Sequence, residues 1–298
     1  MLLQTYHYRI KDSSGVAWLN AAAKAVNYVW NYCNTTSLLA IKRDGRWLSG
    51  FDLNNLTAGT YKELGIAATT IQAVCEEYAI RRNQFSKTKL RYRGKKSLDW
   101  IPFKGSAIKI LRNNTISYKG KTIRYWNSRD LPGKVRCGSF GRDRRGRWYV
   151  NLVCEVPTLP AAPEGTSVGI DLGLKTLATT SHGKKYHNLR YYQKYQRKLA
   201  LAQKDKKRKS TKTIHAKIAN SRKDTCHKIS TEIAKTYKDV FVGDVSCKKL
   251  IKTKMAKSVN DAGWAMLRTF LKYKAIRHSG TYTEVNEYLT SQTCSYCL

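Results

Sequence analysis

One acidic residue, Asp171, stands in the run Val168-Gly-Ile-Asp-Leu-Gly-Leu-Lys-Thr-Leu-Ala178. An apolar strand that ends in an exposed Asp, followed by Gly and a turn, presents one carboxylate to a divalent cation. Phosphodiester cleavage by two metal ions needs several such carboxylates converging on one point, because the metals hold both the attacking and the leaving oxygen. By itself the string is a weak signal, since many sheet turns carry it. A second set of candidate ligands is Cys294 and Cys297, in Thr290-Ser-Gln-Thr-Cys-Ser-Tyr-Cys297. Structural zinc takes four ligands, so this pair reads either as half of a zinc site or as two free thiols.

The chain that must position these groups has 298 residues, 42% of them apolar, which suffices for two folded domains. Lys and Arg number 56 against 20 Asp and Glu, a formal net charge of +36. That excess calls for a polyanionic partner. No apolar run approaches the roughly 18 residues of a membrane span, and no signal peptide is apparent, so a membrane partner is not expected. With 19 Tyr and 7 Trp, the composition suits nucleic acid: cations neutralise phosphate and flat rings stack on bases. The 8 Cys are scattered and read as cytosolic thiols rather than a disulfide framework.

Residues 1–10 alternate as a short strand. Val16–Ser37 carries apolar residues at helical spacing, with Ser13 or Ser14 as a cap, and Phe51–Leu64 continues the helical region. Thr69–Lys87 predicts a helix with Ile71, Val74, Cys75, Tyr78 and Phe85 on one side and Arg81 and Arg82 on another. From residue 97 short β-rich runs follow one another, punctuated by turn residues, and predict an antiparallel barrel with the helical region inserted in it. Pro157–Pro163 holds three of the five prolines and predicts a linker. Beyond it, Lys184–Lys228 predicts a basic helix pair, Val240–Val245 a strand, Ser258–Tyr273 an amphipathic helix and Thr281–Asn286 a last strand.

This order, together with Gly169–Ala178, the run Lys254-Met-Ala-Lys-Ser-Val259 with Asp261-Ala-Gly-Trp264, and Ser291–Cys297, resembles the TnpB (OrfB) family of insertion-sequence proteins, ancestors of the type V CRISPR effectors. The resemblance covers the whole chain. It implies an α+β multidomain fold: an oligonucleotide-binding-like wedge β-barrel from residues 1–12 and 96–158, a helical recognition lobe at 13–95, a linker at 157–165, and an RNase H-like (RuvC) α/β domain at 166–298 with a half zinc ribbon at 291–298. It also implies a bound guide RNA, a double-stranded DNA target, an RNA-bound monomer and a cytoplasmic, nucleoid-associated place in a prokaryote.

The family's nuclease uses three acidic positions. Asp171 matches the first. The second, a Glu on a later strand, falls at Gly243 in Val242-Gly-Asp-Val245, which has no carboxylate. Some members of the superfamily supply the glutamate from a later strand instead, which here is Glu287. The third lies past the zinc finger, where this chain has no residues, and Mg²⁺ is therefore not expected to be used productively. The resemblance accordingly implies a protein similar to the TnpB-like nuclease-dead repressors, which occupies promoter DNA beside a short motif read by the protein. Two other classes stay open: a transposon-type RNA-guided DNA endonuclease whose C-terminal part is missing here, and a guide-independent RNA- or DNA-binding protein.

For nucleic acid, the resemblance places Thr69, Thr70 and Gln72 at a helix that reaches DNA. Gln suits adenine in the major groove, while helix capping and plain exposure explain the same residues equally well. Arg81, Arg82, Lys87, Lys89, Arg91 and Arg93 are expected on phosphate, positioning the strand without reading it. Lys175, Lys206, Lys207, Arg208, Lys209 and Lys254 are expected to extend that surface. Tyr61, Tyr78 and Trp100 are either base-stacking rings or core.

Overall fold

The computed structural model describes residues 2–94 and 97–286. The chain divides into two compact units, Leu3–Val156 and Pro157–Leu298.

The first unit opens with β1 (Leu2–Arg9) and continues through α1 (Val16–Asp44), α2 (Gly50–Leu56), α3 (Tyr61–Leu64) and α4 (Ala68–Gln84). Gly15, at φ 67°, starts α1, and the hydroxyl of Ser14 accepts from Arg124 N at 2.7 Å instead of capping the helix. Past Ser37 the residues Leu38-Leu-Ala-Ile41 keep the helix going. Gly45 stops it, in the left-handed conformation that lets its N–H reach Ile41 O. The stretch expected as one helical region from Phe51 to Leu64 is two helices, because Thr57-Ala-Gly-Thr60 turns between them with Gly59 at φ 82°. The start of α2 is fixed by a capping box between Ser49 and Asp52.

Six strands follow: β2 (Trp100–Lys104), β3 (Ile108–Leu111), β4 (Thr115–Tyr118), β5 (Lys121–Arg124), β6 (Val135–Arg142) and β7 (Trp148–Val156). They form two sheets rather than one continuous ladder, β1-β7-β6-β2 and β3-β4-β5, linked by a bridge between Ile10 and Tyr125. In β7 every second residue from Trp148 to Val156 is buried, the period of a strand with one face in the core. Phe103, Tyr118 and Phe140 bring the two sheets together, with ring centroids 5.0–6.1 Å apart.

The second unit holds β8 (Ser167–Asp171), β9 (Thr176–Thr180), β10 (Lys185–His187), α5 (Tyr191–Lys204), α6 (Arg208–Thr236), β11 (Asp239–Gly243), α7 (Cys247–Leu250), α8 (Ala256–Ala262), α9 (Trp264–Arg277) and β12 (Thr281–Val285). Its sheet runs β10-β9-β8-β11-β12. The first three strands are antiparallel neighbours, and β8, β11 and β12 run parallel. The return from β9 and β10 to β11 passes through the helices α5 and α6, as a parallel strand requires a long crossover. Val168, Ile170, Val240 and Val242 share one core with Ile229 and Ile233 of α6 and Leu267 and Leu271 of α9. Lys274 ties α9 to α6 by donating to His227 O, Ser230 Oγ and Thr231 Oγ1, each at 2.7 Å, and its burial lowers the ammonium pKa to about 8. The proline-rich segment does not hang free of this unit, since Leu159 N donates to Arg277 O at 2.7 Å and Ala162 is buried.

Ser258–Tyr273, expected as one helix, is broken at Gly263. This glycine lies at φ 73° and serves as the last cap of α8 and the first of α9. A Cβ there would also stand 2.7 Å from Arg222 Cδ, and Arg222 is not free to retreat because its Nη2 donates to Asp261 Oδ1 at 2.8 Å. Gly263→Ala is therefore expected to lower the unfolding free energy by about 1–3 kcal/mol. Urea denaturation checks this, and an unchanged midpoint would contradict the strained break.

Candidate nucleic-acid interface and acidic row

Asp171 ends β8, where the register with β11 pairs Ile170 with Val242. One step further, Asp171 stands beside Gly243, and Gly243 pairs with Val285 of β12. On the other side Asp171 pairs with Thr179 of β9. The row at this end of the parallel strands therefore reads Thr179, Asp171, Gly243, Val285. Neighbouring strands lie about 4.8 Å apart, so a carboxylate at 243 would stand next to that of Asp171. Glycine supplies none.

The Asp171 side chain is exposed and takes part in no hydrogen bond or ion pair among the described residues. Few carboxylates in this cation-rich chain are left so. Asp244, one residue after Gly243, is engaged elsewhere: Arg268 Nη1 lies 3.0 Å from its Oδ1 and 3.8 Å from Glu284 Oε2. Tyr282 OH donates to Glu284 Oε1, and burial raises the pKa of that phenol. Among the described residues no group of three or more His, Cys, Asp or Glu is placed to hold a metal ion. The described residues thus offer one unpaired carboxylate at this end of the sheet, Asp171, where a two-metal reaction takes several. Glu287, Cys294 and Cys297, with the expected half zinc ribbon at 291–298, lie outside the described residues.

The loop after Asp171 is held from below. Trp264 Nε1 donates to Gly173 O at 3.2 Å. Asp261, 8% exposed, accepts from Tyr192 N on both oxygens at 2.9 Å and from Arg222, so it caps α5 from another helix. In the sequence Asp261 stands out only as part of a motif. A lone Asp before a helix-breaking glycine carries no hint that its partner is the start of α5.

Of the residues expected on nucleic acid, two are in the wrong place. Thr70 is fully buried, where its hydroxyl donates to Pro102 O at 2.8 Å and meets the Tyr118 hydroxyl. It joins α4 to the sheets and faces no groove. Arg82 is 1% exposed, with Nη2 donating to Leu48 O at 2.6 Å and the guanidinium 4.8 Å from the Trp47 ring. It is a core side chain, and so is Tyr78, while Phe85, expected on the apolar side, is 56% exposed. Thr69 is half-buried and Gln72 exposed at the start of α4. Arg81 is exposed but paired with Glu77 at 2.6 Å. Arg93 is half-buried between Trp30 and Trp100. Its pKa is lowered by burial. Lys87, Lys89 and Arg91 are exposed, as are Lys175, Lys206, Lys207, Arg208, Lys209 and Lys254 in the second unit. In that second set Lys207 is paired with Asp205 at 2.9 Å.

The OrfB_IS605 family model, described as "Probable transposase", matches residues 151–254, and the "Cas12f1-like, TNB domain" model matches 264–298. A "Putative RNA-guided DNA endonuclease" of Streptomyces pristinaespiralis is 28% identical over 84% of this chain and 66% of its own length. InsQ of Escherichia coli, described in the same words, is 28% identical over 59% of this chain and 50% of its own. The chain thus spans less than two thirds of the length of either relative. The fold resembles that in the cryo-EM structure of a Cas12f1-sgRNA-target DNA complex, with a TM-score of 0.59 over 95% of this chain and 75% of that one, at 13% identity. The chain is thus similar to proteins of the TnpB/OrfB transposase family over its second half and to putative RNA-guided DNA endonucleases over most of its length.

The burial of Arg82 separates it from its neighbours in an experiment. Arg82→Ala is expected to lower the unfolding free energy by about 2–5 kcal/mol, the range of large buried truncations. It should leave the salt dependence of oligonucleotide binding unchanged, because Arg82 meets no phosphate. A reduced salt slope in the folded variant would return Arg82 to the surface.

Proposed function

We propose that this protein is an RNA-guided, sequence-specific DNA-binding protein that holds its target without cutting it and represses transcription by occupying promoter DNA beside a short motif read by the protein. The single observation that carries the uncut outcome is Gly243, standing between Asp171 and Val285 at the position where a second of the three carboxylates would stand. The guide and the DNA target are supported by the names of the two bacterial relatives and by the Cas12f1 complex that the fold resembles. The net charge of +36 supports a polyanion partner of either kind. On this reading residues 1–12 and 96–158 form the wedge, 13–95 the recognition lobe, 157–165 the linker and 166–298 the RuvC-like domain. The mixed sheet of the second unit, with β8 at its centre and parallel neighbours on one side, supports the last of these. In the proposed division of labour, paired RNA reads sequence, while the protein reads duplex shape, backbone and the adjacent motif.

A second reading, an RNA-guided DNA endonuclease, is favoured by what the two bacterial relatives are called. The position of Glu287, two residues after the Val285 that pairs with Gly243, favours it as well. One experiment separates the two. The protein copurified with its RNA is incubated in Mg²⁺ with a duplex matching that RNA and carrying candidate adjacent motifs. Binding without strand breaks, unaffected by Asp171→Ala, is expected. Cleavage that disappears in both Asp171→Ala and Glu287→Ala identifies the endonuclease, and absence of any enriched small RNA removes guidance altogether.

The electrostatic part has its own test. Replacing Lys206, Lys207, Arg208 and Lys209 with Gln should flatten the dependence of duplex affinity on salt, by about 0.9 in log–log slope for each phosphate no longer neutralised. A slope equal to that of the unaltered protein would take this stretch out of the binding surface.

A further inference from the structure

Lys87–Gly94 contains neither helix nor strand, yet it is fastened at several points to α1. Asn34 donates through Nδ2 to Leu90 O at 2.8 Å and accepts from Leu90 N at 2.9 Å. Asn31 does the same for Arg93, with bonds of 2.8 and 2.7 Å. Asn27 Oδ1 accepts from Arg93 Nε at 2.8 Å, and Trp30 Nε1 donates to Arg91 O at 3.3 Å. These asparagines, at i, i+4 and i+7, lie on one face of the helix. Two of them satisfy both backbone groups of a residue, as a neighbouring strand would. A basic segment of this kind would otherwise repel itself and sample many shapes.

The fastened segment lines a cavity of about 680 Å³ with Phe85 and Trp100. The carboxylate in its lining, Glu77, is neutralised by Arg81. Among the described residues Lys87 and Arg91 have no hydrogen-bond or ion-pair partner for their side chains, and Lys89 meets only the Tyr92 ring, 4.8 Å away. Phe85, 56% exposed, offers a bare ring at the edge of this cationic groove.

We propose that the asparagine ladder of α1 pre-forms a groove for a single nucleic-acid strand, with Lys87, Lys89 and Arg91 on successive phosphates and Phe85 under an unstacked base. The exposed ring favours a single strand over a duplex, because a duplex offers its phosphates but buries the faces of its bases. Asn31 and Asn34 are positioning residues that touch the cationic segment and not the ligand. The proposal deepens the nucleic-acid reading above by naming the form of the ligand at this site, and it rests on that reading.

The test uses the full-length protein freed of RNA and three probes of equal length: oligouridylate, oligothymidylate and a duplex. Replacing Lys87, Lys89 and Arg91 together with Gln should weaken single-strand binding at least tenfold and reduce its salt slope by about 2, at roughly 0.7 per neutralised phosphate. Phe85→Ala should weaken it about fivefold or more with the slope unchanged, as the removal of a stacking ring does. Asn31→Ala should lower the slope although every cation remains, and should speed tryptic cleavage after Lys89 and Arg91 at temperatures where the protein stays folded. A merely structural asparagine would leave the slope alone. Preference for oligouridylate assigns the groove to an RNA strand, and preference for oligothymidylate to a DNA strand. Single-strand binding by the triple variant at the unaltered affinity and slope would overturn the proposal, and so would an equal or greater weakening on the duplex. No guide enters this measurement, so the groove and the guided reading can fail separately.

Discussion

The constraint on which everything else in this chain rests is a shortage of anions. With 56 Lys and Arg and only 20 Asp and Glu, most cations cannot have a carboxylate partner. Burying an unpaired charge is expensive unless other groups solvate it. The structure meets this with neutral acceptors and rings, although Nε and Nη1 of Arg82 are buried without a hydrogen-bond partner. Arg82 is held by Leu48 O and Trp47, Arg93 by Asn27, Leu98 O and two tryptophans, and Lys274 by a carbonyl and two hydroxyls. Most carboxylates are then used in ion pairs. Surface cations such as Lys87 and Arg91 stay unpaired, the condition in which they can release counterions to a phosphate chain.

Against that background the isolation of Asp171 carries weight. A carboxylate surrounded by cations in excess would ordinarily acquire one, as Asp261 and Asp244 have done through Arg222 and Arg268. Asp171 escapes because it stands at the end of β8, where its neighbours along the row are a threonine, a glycine and a valine. The parallel register fixes those neighbours. A change at 243 is thus felt directly at Asp171, whereas Asp244, one residue away in sequence, is tied to Arg268 of α9. Adjacent in sequence and adjacent in the row are different properties, and only the second matters to a metal ion.

How much of this is legible in the sequence follows from the kind of signal each feature leaves. The alternation in β7 and the apolar spacing of α4 are readable, because burial of hydrophobic side chains imposes a period. The string around Asp171 and the glycine at 243 are readable from family resemblance. The burial of Arg82 is not. By type Arg belongs outside, and the groups that solvate it, Leu48 O and Trp47, come from a distant turn. Thr70 misleads in the same way, since a hydroxyl bonded to Pro102 O looks no different in sequence from one that faces a groove. The break at Gly263 escapes notice because one glycine inside a helical pattern is often tolerated, at about 1 kcal/mol. The three asparagines of α1 do leave a signal, though one that only the structure makes plain: polar residues at i, i+4 and i+7 facing inward on a helix otherwise packed with apolar residues.

The same economy of charge bears on how such a protein can be specific. Cations placed on phosphates supply affinity and position but no sequence information. Among the polar residues expected to read bases, Thr70 is committed to the core, which leaves Gln72 exposed and Thr69 half-buried at the start of α4. On the proposed reading these side chains read no more than a short motif, and a long target is specified by something other than side chains. Pairing with a bound RNA meets that need without further base-reading residues, because a heteroduplex is recognised through shape and backbone, which an excess of unpaired cations is built to hold. On the proposed reading, the absence of a carboxylate at 243 removes the cut while leaving this recognition intact, since none of the charges that hold the strands depends on the acidic row.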